Sequence, residues 1–309
     1  MLTPRALDDS VRPRRLVSAS GRPLDFTVRR HNSSATQSPL RHRVIKAYNP
    51  MTLRATIQSR PLWFFFPLAF LLSWYTWYLR LFGVHTSGGM NPLGVLLAGL
   101  IMSWVCGGRS GAKMFLGRIV RVRFAARWYL VAVLLPLGVV GVAAALNLLF
   151  GAHVSPHAHA PDWGAIGAGF LVQFLFVALG EEPGWRGFAL VELQKRMTAI
   201  PATLILGAIW ALWHLPLMGT AVSWNLVPAF VIGVFAGAFA LTWIFNSTDG
   251  SVLPCMLLHA TLNSIGVGSI FPLFSGAAVT QLWWLHTLSW VITAAVIIWR
   301  SGSGLKGWH

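Results

Sequence analysis

Long apolar runs separated by short polar connections dominate the chain beyond about residue 60. Each run is long enough to cross about 30 Å of hydrocarbon as a helix. The runs fall near 61–79, 90–107, 128–150, 164–180, 199–217, 226–246, 252–273 and 278–299. Pro and Gly inside several of them are compatible with a membrane bundle, because neighbouring helices satisfy the freed backbone groups. The pattern predicts an all-α fold, a polytopic membrane helix bundle of about eight transmembrane helices.

The composition favours the same class of protein. Of the 309 residues, 55% are hydrophobic and only 10% are charged, whereas a soluble domain carries about a quarter charged residues. Cys106 and Cys255 both lie in apolar runs and lack C-x-x-C spacing, so the sequence indicates neither a disulfide framework nor a cysteine-based metal site.

Basic residues give the orientation and the domain plan. Residues 1–60 hold 12 of the 24 Lys and Arg, with much Ser and Pro and no sustained apolar periodicity, as is typical of a disordered tail. Six more lie at 109–127, whereas 151–163, 218–225 and 274–277 hold none. The positive-inside rule then predicts that both termini are cytoplasmic. The domains are a basic tail (1–60), a helical bundle (61–299) and a short cytoplasmic tail (300–309).

The net charge of +16 is explained by these topology signals, so we expect no nucleic-acid partner. An alternative interpretation of the basic N-terminal segment is that translation begins at Met51.

Two adjacent carboxylates mark the first candidate site. Ionisable groups at membrane depth are costly and therefore indicate function. Of the eight Asp and Glu, only Glu181 and Glu182 adjoin an apolar span. Glu182 and Arg186 are four residues apart and share a helix face, so they can pair and leave Glu181 free to act. The alternative is a charged helix end at the cytoplasmic interface, where Glu and Arg are ordinary.

Polar residues in two further spans support a shared internal site. His214 follows Trp210 by four residues, and Asn263 follows His259 by four, so each pair lies on one helix face. A single His in an apolar helix is usually a core residue. Because three such constellations facing lipid would each be costly, their joint occurrence favours one internal site.

In this order, the motifs E-E-x-x-x-R, aromatic-x-x-x-His and His-x-x-x-Asn resemble those of the CAAX-protease and bacteriocin-processing (CPBP, or Abi) membrane peptidases. This family includes the type II CAAX prenyl endopeptidases. The resemblance covers about 165–270, the expected peptidase core. The departure is Trp210, where Phe is commoner, which leaves the position aromatic.

The resemblance implies an intramembrane glutamic endopeptidase, and it implies roles for individual residues. Glu181 with His214 would activate water, and His259 with Asn263 would hold the oxyanion of the tetrahedral intermediate. Glu182 paired with Arg186 would position Glu181. The implied partners are a membrane-associated or lipidated peptide or protein substrate and the lipid bilayer, in a bacterial cytoplasmic (plasma) membrane.

We expect no cofactor and no bound metal. The H-E-x-x-H motif, which places two zinc ligands and a base on one helix, does not occur. Two His and a Glu could nevertheless form a zinc site with an open position, so a zinc-dependent peptidase stays an alternative. A non-catalytic membrane scaffold or immunity protein, and a proton-coupled transporter, are the alternatives outside the peptidases.

Overall fold

Helices occupy all the apolar runs that predict a membrane bundle. The structure, a computed structural model, describes residues 52–86, 89–156, 158 and 162–307. Within these residues there is no strand, and the helices are α1 (Leu53–Ser59), α2 (Pro61–Leu81), α3 (Leu93–Ile119), α4 (Arg127–Leu149), α5 (Trp163–Gln194), α6 (Ala199–Trp213), α7 (Val227–Ser247), α8 (Leu253–Leu273) and α9 (Gly276–Ser301). Seven are long and apolar enough to cross a membrane, and α6 is a shorter apolar helix. The predicted all-α membrane bundle is confirmed.

The short helix α1 lies in the segment that the sequence pattern assigns to the tail. Its side chains contact α3, because Arg54 Nε donates to the Val105 carbonyl at 3.3 Å and Gln58 Nε2 donates to the Cys106 carbonyl at 3.1 Å. The ordered bundle therefore begins before residue 61. Residues 1–51 of the predicted tail lie outside the described residues.

Helix α6 is shorter than the predicted span 199–217. It has 15 residues, about 22 Å at 1.5 Å per residue, and it ends at Trp213. Pro216 lies in the 3₁₀ turn that follows, and a proline there removes a backbone donor that a continuing helix would need. His214 is consequently the C-cap of α6 and is itself buried.

Helix α5 is longer than the apolar run 164–180 that predicts it. It continues to Gln194, for 32 residues in all, so Glu181 and Glu182 lie near its middle. Their side chains are enclosed, with 3% and 0% of their surface exposed. The interpretation of these residues as a charged helix end is therefore wrong. The helix continues through them because their charges have partners inside the bundle.

Three stretches of π-helix interrupt the regular helices around these carboxylates. Two of them, Gln173–Ala178 and Pro183–Leu190, lie before and after the glutamate pair in α5. The third, Leu262–Ile270, follows the His259 turn of α8. Wide turns of this kind are frequent at functional sites, because they redirect side chains within a helix.

Close backbone packing fixes α5 against α3. Gly180 and Gly184, four residues apart, flank the glutamate pair. A Cβ atom on Gly184 would lie 2.3 Å from the Val95 carbonyl oxygen, and one on Gly180 would lie 2.7 Å from the Pro92 carbonyl carbon. Small residues at this spacing allow membrane helices to approach closely. The glycines therefore set the position of the two carboxylates relative to α3.

Helix α3 changes direction at Gly108, where φ is 59° and ψ is −149°. This kink coincides with the end of the predicted span 90–107. Beyond it, Arg118 Nη1 donates to the Gly187 carbonyl of α5 at 3.0 Å, and Arg121 Nη1 donates to the Asp249 carbonyl at 2.7 Å. These two basic residues thus hold the later part of α5 and the connection after α7, in addition to contributing positive charge.

We expect Gly184→Ala to destabilise the bundle, because the added Cβ must displace the α3 backbone. Overpacking of this kind costs about 1–3 kcal/mol in the free energy of unfolding. The measurement is thermal unfolding of the purified protein in detergent. The control is Gly138→Ala, since a Cβ at Gly138 meets no atom within 4 Å and alanine favours a helix over glycine. Equal stability of the two variants would contradict the close contact.

Candidate active site

A buried ion cluster joins α5 to α8. Arg186 Nη1 lies 3.1 Å from Glu182 Oε1 and 3.0 Å from Oε2. From the other side, His259 Nδ1 lies 2.7 Å from Glu182 Oε1. Both Glu182 and Arg186 are fully enclosed. The predicted pair of Glu182 and Arg186 is therefore present, and His259 is an additional partner 77 positions along the chain.

Glu181 does not join this cluster but contacts α6. Its Oε2 atom accepts a hydrogen bond from the indole Nε1 of Trp210 at 2.8 Å. A charge-assisted hydrogen bond to a buried carboxylate is stronger than one between neutral groups, so the indole holds Glu181 in one orientation. Phe, the residue commoner at this position in the family that the motifs resemble, has no such donor.

Trp210 also contacts the other charged members of the site. The guanidinium carbon of Arg186 lies 4.4 Å from the centre of the Trp210 ring, within the range of a cation–π contact. The ring of His259 meets the same indole edge to face, with centroids 5.8 Å apart. Trp210 thus lies between Glu181 and the ion cluster and touches both.

The hydrogen bond of His214 determines which of its nitrogens can act. Nδ1 lies 2.7 Å from the Trp210 carbonyl oxygen. Because a carbonyl oxygen only accepts, Nδ1 carries the proton in this contact. In the neutral ring, Nε2 is then left with a lone pair that can accept a proton from water.

The same argument applies to His259, whose partner is a carboxylate instead of a backbone carbonyl. Its Nδ1 donates to the Glu182 carboxylate, which leaves Nε2 available. Asn263, one turn further along α8, donates through Nδ2 to Gln173 Oε1 at 3.1 Å. One N–H of the Asn263 amide is used in this bond, so the second N–H is available for another acceptor.

All four predicted catalytic residues line a single cavity of about 530 Å³. Glu181 comes from α5, His214 from the end of α6, and His259 and Asn263 from α8. Glu182 and Arg186 do not line it and lie behind its wall. Most of the remaining lining is apolar or aromatic, and α7 and α9 contribute part of it. The structure therefore brings together the residues that the motifs single out.

Gln173 and His286 are polar residues of this cavity that the motif analysis does not include. Gln173 lies in the apolar run 164–180 and holds Asn263. His286 lies in the apolar run 278–299 and lines the cavity from α9. Like His214, each is a polar residue in an apolar span. Because such a residue is costly to bury in a membrane, its presence could have marked it as a candidate site residue in the sequence.

The residues fit a metal ion poorly. In the part of the chain that the structure describes, no three His, Cys, Asp or Glu side chains converge closely enough to hold one. A catalytic zinc ion needs three convergent protein ligands and an open position, and the described residues do not provide such a group.

Comparison with known proteins gives two findings. The model of the family described as type II CAAX prenyl endopeptidase Rce1-like matches residues 163–265, the stretch that contains all four cavity residues named by the motifs. A curated protein of Methanococcus maripaludis, named CAAX prenyl protease 2, is 28% identical over 102 residues. That alignment covers 30% of this chain and 38% of the relative. The resemblance inferred from the three motifs is therefore confirmed over residues 163–265, which are similar to the type II CAAX prenyl endopeptidase Rce1-like family.

Proposed function

We propose that the chain is an intramembrane endopeptidase that hydrolyses a peptide bond of a membrane-associated substrate, using Glu181, His214, His259 and Asn263 without a metal ion. The observation that carries the proposal is the single cavity that these four side chains line inside the bundle. Amide hydrolysis uses a base to activate water, donors to stabilise the oxyanion and a proton for the leaving amine, and these four side chains have groups for each of these tasks.

In the proposed reaction, Glu181 and His214 orient and deprotonate one water molecule. The water oxygen forms a bond to the carbonyl carbon of the substrate, and its proton passes to the Glu181 carboxylate or to His214 Nε2. Trp210 holds Glu181 through its indole N–H, and the Trp210 carbonyl holds His214 through Nδ1. One residue of α6 thus fixes both proton acceptors.

The carbonyl oxygen becomes an oxyanion, which His259 Nε2–H and the unused N–H of Asn263 stabilise. For His259 to donate from Nε2 while Nδ1 donates to Glu182, the ring must be an imidazolium, and the Glu182 carboxylate neutralises that charge. Collapse of the intermediate breaks the carbon–nitrogen bond. The proton taken from water is delivered to the leaving amine.

The substrate class follows from the cavity and the family. The apolar and aromatic lining fits an extended peptide with aliphatic side chains or a lipid group, and CAAX-type proteases act on prenylated, membrane-associated peptides. We propose a substrate of this class. We also propose that both termini lie in the cytoplasm of a bacterial cell, since the connections at 151–163, 218–225 and 274–277 hold no Lys or Arg.

We expect Glu181→Gln to reduce kcat for cleavage of a lipidated membrane peptide by at least about 100-fold, because a side-chain amide cannot act as a base.

We expect Asn263→Ala to reduce kcat for the same cleavage by about 100-fold through loss of an oxyanion donor. Cleavage by purified protein in detergent, with and without a strong chelator, is the measurement. Gly138→Ala is the control for handling and stability.

The same assay separates the alternatives. Loss of wild-type cleavage with chelator, restored by added zinc, would contradict the metal-free reaction and favour the zinc-dependent one. No cleavage of any tested peptide by a well-folded wild type would favour a scaffold or immunity protein. Flux coupled to a pH gradient in vesicles would favour a transporter.

Replacement of Trp210 tests the chain-specific contact with Glu181. Trp210→Phe keeps an aromatic ring beside Arg186 and His259 but removes the indole N–H. We expect kcat to fall about tenfold with KM nearly unchanged, because a misaligned base slows the chemical step more than it weakens binding. Steady-state kinetics give both constants, and an unchanged kcat would show that the ring alone holds the site.

The proposed orientation can be tested by labelling single cysteines in whole cells. In a Cys106→Ala, Cys255→Ala background, we expect Ser223→Cys to react with a membrane-impermeant maleimide, because it lies exposed in a connection without basic residues. Ser110→Cys, also exposed but within the basic segment, should react only after the cells are permeabilised. The reverse pattern would place the termini outside.

A further inference from the structure

His286 is a buried polar group of the cavity that no step of the proposed reaction uses. It lies on α9, outside the segment 163–265 that matches the family. Only 5% of its surface is exposed, yet its ring lines the same cavity as Glu181 and His214. A polar side chain in an apolar wall is costly unless a partner satisfies it.

The contact with Trp290 determines the protonation of the ring. Trp290 Nε1 donates to His286 Nε2 at 3.0 Å. Because an indole nitrogen only donates, Nε2 has no proton in this contact, and the ring carries its hydrogen on Nδ1. Among the described residues, no hydrogen-bond partner reaches Nδ1, and this atom is not among those sealed from solvent. The ring therefore presents one unused N–H donor.

Neighbouring polar groups in this wall are already occupied. The Thr287 hydroxyl donates to the Ala229 carbonyl oxygen at 2.8 Å, and the Trp290 indole is used by His286 itself. The rings of Phe271 and Trp283 meet His286 edge to face, with centroids 5.3 and 6.4 Å away. The surroundings hold His286 in place without satisfying its Nδ1–H.

A row of aromatic contacts connects this donor to the proposed catalytic residues. The His214 ring lies 5.2 Å from Phe230, and Phe230 lies 6.3 Å from Trp283, which contacts His286. His286 is thus three ring contacts from His214 along one wall. An extended peptide of about five residues is long enough to cover this path.

We propose that the Nδ1–H of His286 binds an acceptor oxygen of the substrate peptide, several residues from the bond that is cut. This inference rests on the proposed function, since it takes the cavity to be the peptide-binding site. The oxygen is either a main-chain carbonyl or a C-terminal carboxylate. In both cases His286 selects the register in which an otherwise apolar peptide enters the site.

The test measures binding, so that it does not depend on catalysis. The full-length protein carries Glu181→Gln to prevent turnover, and the probe is a fluorescent farnesylated peptide that ends in cysteine, two aliphatic residues and a final residue. One form of the probe has a free C-terminal carboxylate, and the other has a C-terminal amide. Affinity is measured in detergent by fluorescence anisotropy.

Three variants separate substrate binding from packing. Trp290→Phe keeps the imidazole but removes the indole donor. His286→Leu combined with Trp290→Phe removes the imidazole without leaving the indole N–H unsatisfied. His286→Asn combined with Trp290→Phe restores an amide donor near the position of Nδ1.

We expect the leucine double variant to bind the free-acid probe about tenfold more weakly, the scale of a buried hydrogen bond left unmade. Trp290→Phe should stay within about threefold of the parent, because an acceptor oxygen of the probe at Nδ1 favours the same tautomer as the indole does. The asparagine double variant should stay within the same range, because its amide donates in place of the imidazole. An effect confined to the free-acid probe identifies the carboxylate, and equal effects on both probes identify a main-chain carbonyl.

Wild-type affinity of the leucine double variant for both probes would overturn the proposal, because His286 would then serve only Trp290. Equal weakening by all three variants would also overturn it, as a packing effect. Failure of the parent to bind either probe would overturn it for this ligand class. Histidine-dependent binding without any cleavage by the wild type would instead contradict the proposed peptidase and leave the binding role standing.

Discussion

The site depends on how a carboxylate is kept charged inside an apolar bundle. Glu182 has no exposed surface, and its two partners, Arg186 and His259, approach it from different helices. Burial of an isolated ion in such surroundings costs several kcal/mol, and only close, hydrogen-bonded partners offset that cost. With Glu181 and His259 both ionised, the ion cluster and the neighbouring Glu181 together have two negative and two positive groups. Neutrality overall is what permits an acid pair at this depth.

This arrangement also ties the chemistry to the fold. Glu182 joins α5 to α8, Trp210 of α6 joins Glu181 to the ion cluster, and Gln173 joins α5 to Asn263. Each group proposed to act on substrate is thus held by a residue from a second helix or from a neighbouring turn. Such supporting contacts are what keep catalytic groups within the narrow geometry that a reaction requires.

The sequence predicts much of this because membrane burial makes polar residues conspicuous. Glu181, His214, His259 and Asn263 can be grouped from three apolar spans alone, and the structure does bring them to one cavity. The sequence does not predict the contact between Glu182 and His259, because nothing in local spacing relates residues 77 positions apart. Nor does it predict that Trp210 binds Glu181, since an aromatic residue near a histidine has many packing roles.

The predicted helix boundaries differ from the observed ones for related reasons. Hydropathy ends a span where charge begins, so it stops α5 at residue 180, although the helix continues through paired charges to Gln194. It extends the α6 span to 217, although Pro216 follows the true end at Trp213. The apolar character of a segment indicates whether it lies in the membrane. Where the helix ends depends also on the hydrogen bonds of its backbone and on proline.

The position of Gly180 and Gly184 has a consequence for how the chain can vary. The two glycines that admit α3 enclose the two carboxylates within five consecutive residues, and π-helical turns adjoin them on both sides. The same five residues therefore determine both the packing of α5 against α3 and the position of the two carboxylates. A substitution in this stretch can disturb the helix packing, the carboxylates or both. Loss of activity after such a substitution therefore identifies a catalytic role only when the variant is shown to fold.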